Sequence, residues 1–253
     1  MANIALAVLE TALRARKLDR TLTTALPTLD RSDPAAFIPF DIAPIDTLLG
    51  GGARGDKVLA LQGGLPRGQI SELAGPHSSG RTTLLLQLVG AATRGGEIAA
   101  LIDTCDRLDV ASASAAGIDL DRLLWIRGES GRLVLDRAIK ALNLVLQAGG
   151  FAVVAIDLSD IPPRVLKSLP LTTWLRLQRI VEGSDTVCLL VTPEPLARSA
   201  GGLTVLCTGR TTWTAAAERA CRLTGLETGI RVVSPRRRFD GEAAVSAIAN
   251  DGH

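Results

Sequence analysis

Short apolar runs alternate with amphipathic stretches along the middle of the chain. The runs predict β-strands buried on both faces, and the stretches with apolar residues three or four apart predict helices between them. The predicted strands are 69–74, 98–102, 123–126, 152–156 and 186–191, and the predicted helices are 82–89, 110–116, 132–147 and 171–181. This alternation is typical of an α/β fold in which helices cover both faces of a mostly parallel twisted sheet.

The two ends of the chain follow other patterns. Apolar residues at helical spacing predict an N-terminal helix within 2–24, and a Pro/Asp-rich connector follows it. We expect this helix and linker over 1–36, where the helix packs on its own domain or docks on a neighbouring protomer or partner. The core is expected over 37–253 as one domain. Its last part predicts antiparallel strands at the sheet edge, 203–208, 226–233 and 243–248, with 218–223 on a helix.

Composition narrows the protein class. The 253 residues carry a net charge of only +2, so there is no overall basic excess of the kind that indicates nucleic-acid binding. The four cysteines have no metal-ligand spacing, which argues against a zinc site or a disulfide framework. No secretory leader and no membrane-spanning apolar run are recognisable. We therefore expect a soluble cytoplasmic protein without a membrane partner.

The stretch Gly75-Pro-His-Ser-Ser-Gly-Arg-Thr-Thr83 has the form of a phosphate-binding P-loop. In such a loop, glycines let backbone N–H groups face a phosphate, the following helix N-terminus favours the anion, and a hydroxyl reaches Mg²⁺. The predicted strand before it and helix after it supply the required setting, so an ordinary Gly/Ser loop is the less favoured interpretation. The expected ATP-binding residues are Gly75, Ser78, Ser79, Gly80, Arg81, Thr82 and Thr83, with Thr82 also a metal ligand.

Position 81 carries arginine where a P-loop usually carries lysine. The lysine ammonium is a compact point charge, whereas the guanidinium is a longer planar fork that does not fit the same narrow position unchanged. We therefore expect binding of ATP and Mg²⁺ to be weak or absent.

Asp157 ends the apolar run Phe151-Ala-Val-Val-Ala-Ile, as the aspartate of a Walker B strand does. Its carboxylate is expected at the carboxyl end of the sheet beside the P-loop, where it could hold Mg²⁺. An aspartate at a strand end also commonly caps a turn, but the upstream P-loop favours the metal role. Asp103 and Asp106 follow a neighbouring predicted strand, another place for a carboxylate that polarises water.

These motifs resemble the ATPase core of RecA recombinases. The segment from Gly63 to Leu84 is similar to the Gly-Leu-Pro-x-Gly strand and Gly-Pro-x-Ser-Ser-Gly-Lys-Thr-Thr loop that open that core. The stretch from Leu101 to Asp109 resembles the next RecA strand and turn, and 227–236 is more loosely similar to a late RecA strand. The resemblance implies a RecA-like core from about Phe40 to Phe239, and its first half is specific.

Several departures from the RecA pattern fall on the ATPase elements. The catalytic glutamate of the family corresponds to Cys105, a poor base at neutral pH. Asp106 is the possible substitute, although on an extended segment its side chain would face the other way. The γ-phosphate-sensing glutamine is replaced within 192–195, and the two DNA-binding loops are short. Each catalytic loss lowers hydrolysis by roughly two to four orders of magnitude, so neither an efficient ATPase nor a proficient recombinase is expected.

A degenerate RecA core of this size with an N-terminal helix resembles the ImuA family of SulA-like, RecA-like accessory proteins in SOS mutagenesis. The resemblance implies a role in translesion synthesis with RecA, ImuB and an error-prone DnaE-type polymerase as partners. Two interpretations stay open: an interaction module with weak or absent hydrolysis, and a DNA-stimulated ATPase with an unorthodox Walker A motif. Weak DNA binding, or a protomer interface, is a further option for the run Arg236, Arg237 and Arg238.

Overall fold

An eight-stranded mixed sheet forms the centre of the protein. The structure, a computed structural model, describes residues 34–50, 63–129, 131, 133–197, 202–214, 223–233 and 242–248. The predicted N-terminal helix, nearly all of the predicted helix at 218–223 and the three arginines at 236–238 lie outside these residues. Within them, the α/β fold class with a mostly parallel sheet and an antiparallel edge is confirmed.

The sheet strands are, in chain order, β3 (Gln69–Ala74), β4 (Ala99–Asp103), β5 (Leu123–Arg127), β6 (Val153–Asp157), β7 (Val187–Thr192), β8 (Thr204–Trp213), β9 (Leu223–Val233) and β10 (Glu242–Ile248). A short antiparallel pair, β1 (Phe37–Ile38) with β2 (Leu65–Pro66), lies beside the sheet. The spatial order is β10-β9-β8-β3-β7-β6-β4-β5. Strand β7 therefore separates β3, which leads into the P-loop, from β6, which ends at Asp157.

The helices are α1 (Ala43–Leu49), α2 (Arg81–Arg94), α3 (Val110–Ala115), α4 (Val134–Ala148), α5 (Pro163–Leu166) and α6 (Leu171–Val181). Helix α4 shows why the sequence forms them: its buried residues recur at helical spacing, and Gly149 follows its last residue in a left-handed conformation. No helix among the described residues is long and apolar enough to cross a lipid bilayer.

Two apolar layers enclose the sheet. One contains α1 and α2, with Leu85 and Leu88 of α2 almost fully buried. The other contains α4 and α6, with Leu142 and Trp174 buried against the opposite face. The pattern of continuous apolar strands predicted this double cover, because a parallel sheet must bury both faces.

The carboxyl-terminal strands differ in one respect from the expected antiparallel edge. Strand β8 pairs with β3 in parallel over Thr204–Leu206, and only the β8–β9 and β9–β10 pairs are antiparallel. Strand β8 then continues well beyond the end of β3. Consequently the β8–β9 pair extends alongside the loop that follows β3.

Leucines two residues apart on α4 offer a matched test of this packing. Leu142 is 0% exposed and Leu144 is 66% exposed. Because a buried leucine loses transfer free energy and leaves a cavity, Leu142→Ala should lower the free energy of unfolding by about 2–5 kcal/mol. Leu144→Ala should change it by no more than about 0.5 kcal/mol. Urea denaturation of both variants measures the difference; equal losses would contradict the assigned orientation of α4.

Candidate functional site

The loop between β3 and α2 turns sharply before the helix begins. Ser78 and Gly80 both lie in the left-handed region, with φ of 58° and 90°. Gly80 is the residue directly before α2, and Arg81 is the first residue of that 14-residue helix. The loop therefore delivers its backbone to a helix N-terminus, where N–H groups and the helix dipole favour an anion.

Strands β8 and β9 form one wall of this loop. A methyl group at Gly75 would collide with the carbonyl oxygen of Cys207, and one at Gly80 would collide with the Thr228 side chain. A methyl group at Gly209 would collide with the carbonyl of Ser78. The glycines are thus required by close approach of the neighbouring strands as well as by backbone conformation.

Ser79 provides an independent indication that the loop suits a phosphate. The residue is 1% exposed, and its hydroxyl finds no hydrogen-bond partner among the described residues. A buried hydroxyl without a partner is costly, and a phosphate oxygen is one group that would satisfy it. The backbone and Ser79 together fit a phosphate group.

Arg81 does not take the position expected of a P-loop lysine. Its side chain is buried, and Nη1 donates a hydrogen bond of 2.6 Å to the carbonyl oxygen of Thr192 at the end of β7. The N–H of Gly75 donates to the same carbonyl at 3.2 Å. Burial lowers the pKa of Arg81, and the negative charge of Asp157 acts in the opposite direction. The guanidinium therefore ties the start of α2 to β7 inside the protein.

The two predicted metal ligands lie on different elements. Thr82 is exposed in the first turn of α2, next to the equally exposed Thr83. Asp157 ends β6, and its carboxylate accepts the N–H of Ser159 at 2.9 Å. Burial raises the pKa of Asp157, the nearby Asp103 adds to the rise, and Arg81 opposes it. A buried carboxylate with too few donors is a suitable place for a cation.

Cys105 and Asp106 lie in a turn after β4, and not on an extended segment as the sequence suggested. The pKa of the Cys105 thiol is raised, first by burial and then by Asp160 and Asp157. The thiol is therefore neutral near pH 7 and cannot serve as a general base. The structure thus places an uncharged group where the family resemblance implies a glutamate.

Asp106 has its own charge partner. Its φ of 54° is unusual for a residue with a side chain, and its carboxylate receives two hydrogen bonds from Arg127, at 2.8 and 2.7 Å. These bonds lower the pKa of Asp106. The Arg127 guanidinium also stacks over the ring of Trp125 at 4.8 Å. A carboxylate stabilised as an anion in this way is a weak base for activating water.

Asp103 has a structural set of contacts. It is 2% exposed, and its carboxylate accepts the N–H groups of Arg107 and Leu108 and the indole N–H of Trp125. These bonds shape the turn that holds Cys105 and Asp106. The Asp103 carboxylate is consequently already hydrogen-bonded by donors of the protein.

Sequence analysis missed Glu72, which lies within the buried strand β3. Its carboxylate accepts the N–H groups of Leu196 and Ala197 at 2.8 and 2.7 Å and the hydroxyl of Thr204 at 3.1 Å. This residue therefore fixes both ends of the segment that follows β7. The only available signal was a charged residue in an otherwise buried strand, which requires compensating donors.

Comparison with known proteins finds similarity to RecA proteins. Residues 41–164 match the model of the RecA N-terminal domain. The chain is 42% identical to Protein RecA of Acidothermus cellulolyticus over 115 residues, which is 46% of this chain and 32% of that protein. It is 35% identical to Protein RecA of Clavibacter michiganensis subsp. michiganensis over 143 residues, which is 55% of this chain and 38% of that protein.

The matched regions thus span 32% and 38% of the length of these RecA proteins. The matched residues include the P-loop, the turn after β4 and Asp157. Together with the fold, the matches support a RecA-like family for this chain.

Replacing Asp157 tests the electrostatic description of the site. The pKa of Asp157 in the folded state is raised above the ordinary value of 3.8, so the fold favours the protonated acid. The charged form destabilises the fold as the pH rises through the folded-state pKa. Asp157→Asn removes the charge but keeps an acceptor for Ser159. We expect a higher melting temperature than wild type at pH 7 and a gap that closes towards pH 4.

Differential scanning fluorimetry from pH 4 to pH 8 measures this gap, with Asp121→Asn as the control. Asp121 is exposed, so its replacement should change stability by no more than about 0.5 kcal/mol at any of these pH values. A lower melting temperature of Asp157→Asn at pH 7 would mean that the carboxylate is stabilised by partners inside the protein.

Proposed function

We propose that this RecA-like chain is an accessory protein of SOS-induced mutagenesis and translesion DNA synthesis. It acts by binding other proteins, RecA and ImuB among them and an error-prone DnaE-type polymerase in the same assembly. Hydrolysis of ATP is weak or absent. The proposal combines the resemblance of the whole chain to the ImuA family with the chemistry of the site.

The hydrogen bond from Arg81 to Thr192 is the observation that carries this proposal. In a working P-loop the cation at this position neutralises phosphate charge, but here the guanidinium is engaged beneath the loop with a backbone carbonyl. Binding a triphosphate through Arg81 would require that bond to be exchanged. The loop therefore offers backbone N–H groups and hydroxyl groups as donors to phosphate oxygens, while the Arg81 guanidinium is already bonded to Thr192.

The groups around the turn after β4 support the same conclusion. Cys105 is a neutral thiol, Asp106 is paired with Arg127, and Asp103 accepts three hydrogen bonds from the protein. None of these three positions provides a carboxylate that is free of partners within the protein and so available to position water. A fold that has kept its shape but lacks this group is better suited to recognition than to turnover.

RecA is the proposed partner because the chain shares the first half of the RecA core. A surface shaped like that of a RecA protomer can occupy the place of one protomer against another. The contacts to ImuB and to the polymerase are proposed from the ImuA resemblance, and they too are protein–protein contacts. Direct DNA contact through Arg236, Arg237 and Arg238 remains a minor option, since clustered arginines also serve at protein interfaces.

The alternative function is a DNA-stimulated ATPase of recombination or repair. The loop backbone, the Ser79 hydroxyl and the buried Asp157 carboxylate, which has few hydrogen-bond donors, favour this function. Together they suit a phosphate and a divalent cation. ATP with Mg²⁺, when bound, would supply the phosphoanhydride bond that is hydrolysed. Ser79, Thr82 and Asp157 are the residues that would hold the nucleotide and its metal ion. Nucleotide binding distinguishes the two functions.

Equilibrium binding of a fluorescent ATP analogue with Mg²⁺ tests the role of Arg81. Because the guanidinium is engaged with Thr192, binding should be weak, and Arg81→Ala should change the dissociation constant by less than about threefold, or roughly 0.7 kcal/mol. Ser79→Ala provides the comparison, since it removes the free hydroxyl of the loop. Tight binding that Arg81→Ala abolishes, with rapid turnover on single-stranded DNA that Asp157→Ala also abolishes, would favour the ATPase.

Capture of purified RecA by the tagged full chain tests the proposed partner. We expect saturable binding in biolayer interferometry that Arg81→Ala leaves within about threefold, because recognition does not depend on the nucleotide site. A second chain lacking 1–36 shows whether the predicted N-terminal helix takes part. Absence of binding by the folded full chain, with and without ATP and single-stranded DNA, would refute RecA as a partner.

A further inference from the structure

A groove of about 450 Å³ lies between α4 and α6, on the face of the sheet opposite α2. Its lining comes from these two helices and consists of Ile139, Lys140, Asn143, Leu144, Thr173, Arg176 and Leu177. The groove is far from the P-loop residues in the fold, because α2 covers the other face of the sheet. It is therefore a separate feature that the nucleotide site does not explain.

The two walls of the groove repeat one spacing. On α4, Lys140 is followed at three and four residues by Asn143 and Leu144, and on α6, Thr173 is followed at the same intervals by Arg176 and Leu177. Residues three and four apart lie on one side of a helix, so each helix presents a continuous stripe to the groove. Two parallel stripes of this kind form an elongated channel.

Three of the residues that line this channel are apolar. Leu177 is 2% exposed and forms part of the core, Ile139 is partly buried, and Leu144 on the opposite wall is 66% exposed. A single exposed leucine is ordinary on a protein surface. A leucine standing beside a groove with an apolar floor instead provides a place where another apolar side chain can be buried.

Both charged residues that line the channel are basic. Lys140 and Arg176 are its two charged lining residues, and neither forms an ion pair within the part of the chain that the structure describes. Arg179, also exposed, lies one turn further along α6. Asp136, one turn before Lys140, makes no ion pair with it in the structure. Two cations facing solvent beside an apolar floor attract a segment that carries carboxylates.

We infer that this groove binds an acidic amphipathic helix of a partner protein. Leucine-type side chains one turn apart would occupy the channel beside Leu144 and over Leu177, and flanking glutamates would pair with Lys140 and Arg176. A helix fits better than a small molecule because the site is an open channel between two helices, with stripes at helical spacing. This inference rests on the proposed role as an interaction module and adds the chemistry of one partner segment.

Fluorescence anisotropy with a labelled peptide tests the inference on the full chain. The probe is a helix-favouring peptide of about 16 residues with leucines four apart and glutamates beside them, long enough for about four turns. The double variant K140E/R176E should weaken binding at least about tenfold, and Leu144→Gln at least about threefold. The matched controls Arg210→Glu on β8 and Leu124→Gln on β5, both exposed and outside the groove, should stay within about twofold.

Three results would overturn the inference. The first is no binding by the folded wild type, and the second is binding that the double variant or a scrambled peptide of equal composition reproduces. The third is a dimer in sedimentation that K140E/R176E dissociates, because a second copy of the chain would then fill the groove. Loss of peptide binding with intact capture of RecA would refute the groove alone, and intact peptide binding without capture of RecA would refute the proposed partner alone.

Discussion

The carbonyl oxygen of Thr192 connects the three elements on which the site depends. It ends β7 and accepts hydrogen bonds from Gly75 at the start of the loop and from Arg81 at the start of α2. Because a charged donor in a buried setting forms a strong bond, this contact ties the start of α2 to β7. In a P-loop that depends on its ligand, the cation would be free to meet phosphate. Here the Arg81 guanidinium is already hydrogen-bonded to a backbone carbonyl of the protein, so the contact between α2 and β7 does not depend on a phosphate.

Donors from the protein also hydrogen-bond the neighbouring carboxylates. Glu72 and Asp103 accept backbone N–H groups, and Asp106 is paired with Arg127. Each of these carboxylates is thus held by donors of the protein, and for Asp106 the bonds from Arg127 lower the pKa. Asp157 differs, because burial raises its pKa and its carboxylate has one backbone donor from Ser159 in the described structure. Asp157 is thus a buried acid whose charged form is disfavoured, whereas the other three carboxylates stabilise turns and strand contacts.

The sequence predicted the fold well because each apolar strand must be buried on both faces. Helix α6 was predicted with the bounds that the structure gives, and the strand–loop–helix setting of the P-loop was also foreseen. A turn over 103–107 was expected from the sequence, but the positive φ of Asp106 was not, since an aspartate in this conformation carries no local signature as clear as glycine. The direction of Arg81 and the donors around Glu72 depend on segments more than 100 residues away. The channel between α4 and α6 was missed for the same reason, because spacing on one helix does not reveal which helix lies next to it.

The wall that β8 and β9 build against the loop has a consequence for how such a chain can be divided. The RecA match ends at residue 164, yet Gly75 and Gly80 owe their shape to Cys207 and Thr228, which lie beyond it. A fragment that stops at the matched boundary would expose the loop on one side and would also lack β7, with its Thr192 carbonyl. The segment that matches the RecA N-terminal domain is therefore shorter than the set of strands that supports the loop.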